Sequence, residues 1–113
     1  MVIKAERKKL KKEEVERIIN ELKNKLKEEQ IPFQQFWLFG SYFKGTADVD
    51  SDLDVAIVLP SGLSGASRRK VNDIAWWAKQ VHVKLEPHVL SDRDLKNPLL
   101  SLPAEIKKHG MRV

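Results

Sequence analysis

Gly40-Ser41-Tyr42-Phe43-Lys44-Gly45-Thr46-Ala47-Asp48-Val49-Asp50-Ser51-Asp52-Leu53-Asp54 is the stretch whose reading decides this chain. It opens with a glycine–serine break after an aromatic run and closes on two aspartates at a spacing of two. Side chains two apart on a strand share a face, so a strand that begins at Asp52 sets both carboxylates side by side. Two like charges held that close repel. A divalent hard cation relieves the repulsion, since Mg²⁺ takes carboxylate and phosphate oxygens together. At the other end, Gly40 lets a phosphate come close to the backbone, and Ser41 can donate to it from hydroxyl and amide. Phosphates at Gly40-Ser41 with metals at Asp52 and Asp54 describe a nucleoside-triphosphate site. Asp48 and Asp50 fall in the intervening loop and are read as solvated side chains, not ligands.

Downstream, Asp52–Leu59 alternates: Leu53, Val55, Ile57 and Leu59 form the expected core face, and Asp52, Asp54, Ala56 and Val58 the non-core face. Pro60-Ser61-Gly62 stops this strand. Arg68–Gln80 predicts a helix with Val71, Ile74, Ala75 and Ala78 as its stripe. Trp76 and Trp77, about 100° apart on that helix, cannot both face the core. His82–Leu90 alternates again, with Val83, Leu85 and Val89 on one face and Lys84, Glu86 and His88 on the other. Pro87 lacks an amide donor, which predicts an edge strand or a bulge. On such a strand His82 and His88 need no function and are read as exposed, while Lys84 is a candidate to neutralise phosphate charge. Ser91 and Asp94 have capping-box spacing. A last helix is expected to start after Ser101 and to end with Gly110 as its cap.

Upstream, Phe33–Phe39 reads as a short buried strand. An amphipathic helix over 11–29 precedes it, with Val15, Ile18, Ile19, Leu22 and Leu26 at helical spacing, and Ile31-Pro32 ends that helix. The order α-β-turn-β-α-β-α predicts an α/β (α+β) fold, a small mixed sheet with helices packed on it, and residues 1–113 as a single domain.

Composition narrows the class. The chain has 113 residues, 42% hydrophobic and 33% charged, enough for a packed core under a charged surface. No apolar run approaches the roughly 20 residues of a membrane span, and the Lys-rich start lacks the apolar stretch of a secretory signal. With no cysteine there is no disulfide framework and no thiolate chemistry, and a reducing cytoplasm is the expected setting. The net charge of +5 is spread along the chain except for Arg7-Lys8-Lys9 and Lys11-Lys12. That patch reads as a solvated helix start, and no specific nucleic-acid binding is expected from it.

Gly-Ser, ten residues, then Asp-x-Asp resembles the signature of the DNA polymerase β-like nucleotidyltransferase superfamily. The short chain resembles that superfamily's minimal nucleotidyltransferases, with Lys44-Gly45 in the turn, Ser51 before Asp52, and the ending Asn97-Pro98-Leu99 through Lys108-His109-Gly110. The resemblance implies the nucleotidyltransferase fold and Mg²⁺-dependent transfer of a nucleoside monophosphate from an NTP to an acceptor hydroxyl, with two Mg²⁺ ions. It also implies a third acid on a later strand. Glu86 is the only acid within His82–Leu90, and a glutamate there departs from the more usual aspartate. The implied catalytic and metal-binding residues are thus Asp52, Asp54 and Glu86. Gly40, Ser41 and Lys44 hold the nucleotide, Lys44 matching the family's basic position in the turn.

No residues are expected to be left over for a substrate domain, and the resemblance implies that a partner supplies the acceptor. Similar members pair with a HEPN-domain RNase toxin, and some add AMP to a tyrosine on it. The resemblance therefore implies ATP as donor and a protein-AMPylating antitoxin. Two rivals remain in view. A non-catalytic antitoxin would block its toxin by contact, against which the intact Asp52, Asp54 and Glu86 speak. A nucleic-acid-binding module built on the basic N-terminus would leave the acidic cluster unexplained.

Overall fold

The computed structural model describes residues 9–113. It orders them as α1 (Lys12–Glu28), β1 (Gln35–Phe39), α2 (Ser41–Lys44), β2 (Leu53–Leu59), α3 (Gly65–Val71), α4 (Ile74–Val81), β3 (Leu85–Ser91), α5 (Asp92–Lys96), α6 (Ser101–His109) and β4 (Gly110–Arg112). Of the Lys-rich start, residues 1–8, Arg7 and Lys8 included, lie outside the described residues, while Lys9, Lys11 and Lys12 are exposed at the start of α1.

Helix α1 buries the five apolar residues its spacing predicts, Val15, Ile18, Ile19, Leu22 and Leu26. Glu13 and Glu14 in its first turn and Lys25 and Lys27 in its last complement the helix dipole. Its end is a Schellman turn: Gln30 takes φ 58°, and the Ile31 amide donates to the Leu26 carbonyl at 2.9 Å. Ile31 and Leu26, both buried, add the apolar contact that accompanies this motif.

The four strands lie in the order β3-β2-β1-β4. β1 is antiparallel to β2 and to β4, and β2 is parallel to β3, the crossover being made through α3 and α4. The sheet is therefore mixed, as the sequence predicts, and β3 with its Pro87 is an edge strand. The capping box at Ser91 also forms, Ser91 Oγ accepting from the Asp94 amide at 3.0 Å.

Several expectations are corrected. The face of β2 that carries Asp54 is not a solvent face beyond it, because Ala56 and Val58 are fully buried. They join Phe39, Leu90, Leu95 and Ile106 in a second apolar cluster, while Leu53, Val55 and Ile57 pack with α1, Ile74 and Leu85 on the first. A central strand next to a parallel neighbour is covered on both sides and so is apolar on both. The helix expected over Arg68–Gln80 is two, α3 and α4, divided at Asn72-Asp73, where two poor helix formers meet. Ala75 is exposed, and Trp77 rather than Ala75 packs against Ile74 and Ala78 in the core. β3 begins at Leu85 instead of His82, so Val83 is not inward but 74% exposed; Val89 is likewise exposed. Gly110 is the C-cap of α6, as expected, but not in the left-handed conformation usual for a glycine there. It is extended and opens β4, a strand with too few residues to show any periodicity.

Candidate nucleotidyl-transfer site

The glycine–serine break folds as a single helical turn held between two glycines. Gly40 has φ 74° and ψ −154°, a conformation that essentially only glycine adopts. Gly45 closes the turn in the left-handed region, at φ 77°. Between them the Lys44 amide donates to the Gly40 carbonyl, and the Thr46 amide to that of Ser41, both at 3.0 Å.

Register then decides what this turn faces. Phe39 is the cross-strand partner of Asp54, so Gly40 comes directly against the start of β2. A Cβ on Gly40 would sit 2.5 Å from Asp54 Oδ2, well inside van der Waals contact. The missing side chain is what lets this carboxylate lie on the turn. Asp54 is in turn the register partner of Glu86 on β3, and side chains at paired positions of parallel strands share a face. Asp52, exposed, stands just before β2 with the same parity as Asp54.

The carboxylates have different neighbours. Asp54 Oδ1 lies 3.0 Å from His88 Nε2, both side chains being about 30% exposed (31% for His88, 27% for Asp54). Glu86 Oε2 instead meets Lys79 Nζ of α4 at 3.4 Å. Lys44 Nζ pairs with Glu105 Oε1 of α6, also at 3.4 Å. In the loop, Asp48 accepts from the Asp50 amide at 2.8 Å and meets Ser51 Oγ at 3.2 Å, so it shapes the turn into β2. Lys84 Nζ donates to the Val49 carbonyl at 2.7 Å. Gly40, Ser41, Asp52, Asp54 and Glu86 are thus gathered at one end of the sheet. Lys44 and Glu86 are each paired with an oppositely charged neighbour, Glu105 and Lys79.

His88, expected as an exposed edge position, is instead partly buried against Asp54. Its signal was shared parity with Glu86 on a strand parallel to the one bearing Asp54. His82 is a separate case. Its Nδ1 accepts from the Lys84 amide at 3.1 Å, and burial, with Lys84's charge second, holds its imidazole below the ordinary value.

Among the described residues no three His, Asp or Glu side chains stand in an arrangement that would hold a metal ion. The donor chemistry nevertheless suits Mg²⁺. Asp52 and Asp54 offer only hard oxygens, and the missing Cβ at Gly40 lets Asp54 Oδ2 lie against the backbone of the turn. A cavity of about 450 Å³ lies between α1 and β4, lined by Leu10, Val15, Ile19, Leu38, Tyr42 and Met111 among others. It opens on the α1 side of the sheet, away from Asp54, and the carboxylate geometry is the better guide to the chemistry.

The sequence profile of the nucleotidyltransferase domain matches residues 15–110, nearly the whole chain. The chain belongs to the nucleotidyltransferase domain family. This agrees with the DNA polymerase β-like signature at Gly40-Ser41 and Asp52-x-Asp54. Solved structures agree on the fold. A toxin–antitoxin crystallised with AMP-PNP superposes at a TM-score of 0.57 and 24% identity, over 86% of this chain and 70% of that one. The toxin–antitoxin MntA–HpeT, in a mutant with two aspartates changed to glutamate, does so at 0.53 and 19%, over 87% and 70%. No curated protein matches the chain.

Proposed function

We propose that this nucleotidyltransferase moves a nucleoside monophosphate, AMP from ATP in the first instance, to an acceptor hydroxyl on a HEPN-domain toxin, and so acts as an antitoxin. The observation that carries the reading is Asp54 seated on the side-chain-free Gly40, one residue from Ser41. A phosphate bound at the turn would lie beside the carboxylates. Family membership supports transfer chemistry. The similar solved structures support a nucleotide and a toxin as partners, since one is a toxin–antitoxin with AMP-PNP and the other a toxin–antitoxin mutated at two aspartates two positions apart, the spacing of Asp52 and Asp54.

Asp52 and Asp54 would hold Mg²⁺, with Glu86 joining on the acceptor side. When bound, the metal would lower the pKa of the acceptor hydroxyl and stabilise charge on the leaving pyrophosphate. The chain's own residues do the rest. Ser41 donates to the phosphates from its hydroxyl and amide, and Gly40 admits them to the backbone. Lys44, on leaving Glu105, neutralises triphosphate charge. Glu86, on leaving Lys79, accepts the acceptor's proton at a carboxylate oxygen. The acceptor oxygen forms its bond to the α-phosphorus as the bond from that phosphorus to the β-phosphate oxygen breaks, and pyrophosphate departs.

The test is incubation with Mg²⁺, ATP labelled at the α-phosphate, and the co-encoded partner. Label should enter the partner covalently, and Asp54→Asn should lower the rate at least about 100-fold. Equal toxin neutralisation by wild type and Asp54→Asn, with no label from either, would replace this reading with an antitoxin that blocks by contact.

A further inference from the structure

Among the described residues, His88 makes a contact with the Asp54 carboxylate that the transfer chemistry above does not use. Its Nε2 lies 3.0 Å from Oδ1, while Oδ2 faces Gly40. Three features hold the imidazole there. Phe39 packs edge-on against it, ring centroids 5.0 Å apart at 66°. Ala56 is its register partner on β2, and a bare methyl leaves room for the ring to lean one step back toward Asp54. Pro87 before it fixes one backbone angle of the strand that presents it.

We infer that His88 is a positioning residue for the Asp54 carboxylate. With its hydrogen on Nε2 it donates to Oδ1 and fixes the plane of the carboxylate, leaving Oδ2 turned to the Gly40-Ser41 side for a divalent cation. A partly exposed aspartate otherwise samples several rotamers and must be ordered each time an ion binds. Partners that orient a ligating carboxylate typically change metal affinity or activity by about 10- to 100-fold when removed. The inference rests on Asp54 being a metal-binding residue, as proposed above.

Two measurements without catalysis test it. Ring ¹⁵N spectra of the metal-free protein should show His88 as a single tautomer with hydrogen on Nε2, and Asp54→Ala should release it to a mixture. Titration with Mn²⁺ should show binding weakened about tenfold by His88→Phe, which keeps a ring against Phe39, and largely restored by His88→Gln, which keeps a donor. In the transfer assay His88→Phe should lower kcat and leave KM for the NTP nearly unchanged. A tautomer mixture in wild type, or Mn²⁺ affinity in His88→Phe equal to or tighter than wild type, overturns the inference. Failure of wild type to bind Mn²⁺ at all would sink the function reading along with it, whereas transfer by wild type with an unaffected His88→Phe would sink the inference alone.

Discussion

Replacing Gly40 by alanine should expose two separable costs. The first is the backbone. At φ 74° and ψ −154° an alanine is held in a region reserved for glycine, at about 1–3 kcal/mol. The second is the approach of Asp54. The new Cβ would lie 2.5 Å from Oδ2, close to an ångström short of ordinary contact, so the carboxylate must rotate and give up its bond to His88, a net loss of about 1 kcal/mol. Together these make about 3 kcal/mol, or on the order of 10 °C in melting temperature for a domain of this size. Urea unfolding of Gly40→Ala, Asp54→Ala and the double variant separates the two. With Asp54 already truncated, Gly40→Ala should cost only the backbone share, about 2 kcal/mol. Equal costs in both backgrounds, to within about 0.5 kcal/mol, would refute the seating of the carboxylate on Gly40. A cost near zero in wild type would refute the turn geometry as well.

The pH dependence of stability should carry a mark of His82. Its folded pKa lies below the ordinary 6.5, so its contribution is complete above about pH 6.5 and is lost as pH falls toward the lowered value. Wild type should therefore weaken more steeply on acidification than His82→Gln, and parallel curves would contradict the assignment. The two tryptophans should part ways. Trp77, packed on the core with Lys25 over its ring at 5.7 Å, should cost about 2–3 kcal/mol on truncation to alanine, whereas Trp76, 67% exposed, should cost no more than about 0.5. Ser91→Ala should remove the cap of α5 and lose about 1 kcal/mol, and a neutral result would mean that another group satisfies the Asp94 amide.

What could be read from the chain beforehand was what local periodicity encodes. A spacing of two gave Asp52 and Asp54 the same strand parity, although β2 itself begins only at Leu53, and the break at Gly40 followed from a residue that tolerates an unusual backbone angle. The five-residue stripe of α1 and the box at Ser91 were legible for the same reason, each lying within one or two turns of chain. What escaped depends on partners far away in sequence. Ala56 and Val58 are buried because α5 and α6 cover the second face of β2; the unbroken apolar run Val55–Leu59 is consistent with two covered faces but does not say which elements cover them. The contacts of His88 with Asp54, of Lys79 with Glu86 and of Lys44 with Glu105 arise from register and helix placement. β4 was missed because three residues, Gly110-Met111-Arg112, are shorter than any pattern they could display.

That short strand has a consequence for colloidal behaviour. β1 carries Phe36-Trp37-Leu38-Phe39, four consecutive large apolar residues of high strand propensity and no charge. Left unpaired along its outer side, such a segment is a template on which a second molecule can add a strand. Gly110–Arg112 occupies that side, Trp37 standing opposite Arg112, and the Val113 amide continues the pairing to the Phe36 carbonyl at 2.9 Å. The outermost edge this strand presents in place of β1 is short and bears a charge. Residues 110–113 therefore cover the outer side of an apolar, uncharged strand, a contribution against self-association that requires neither depth of burial nor any part in the chemistry.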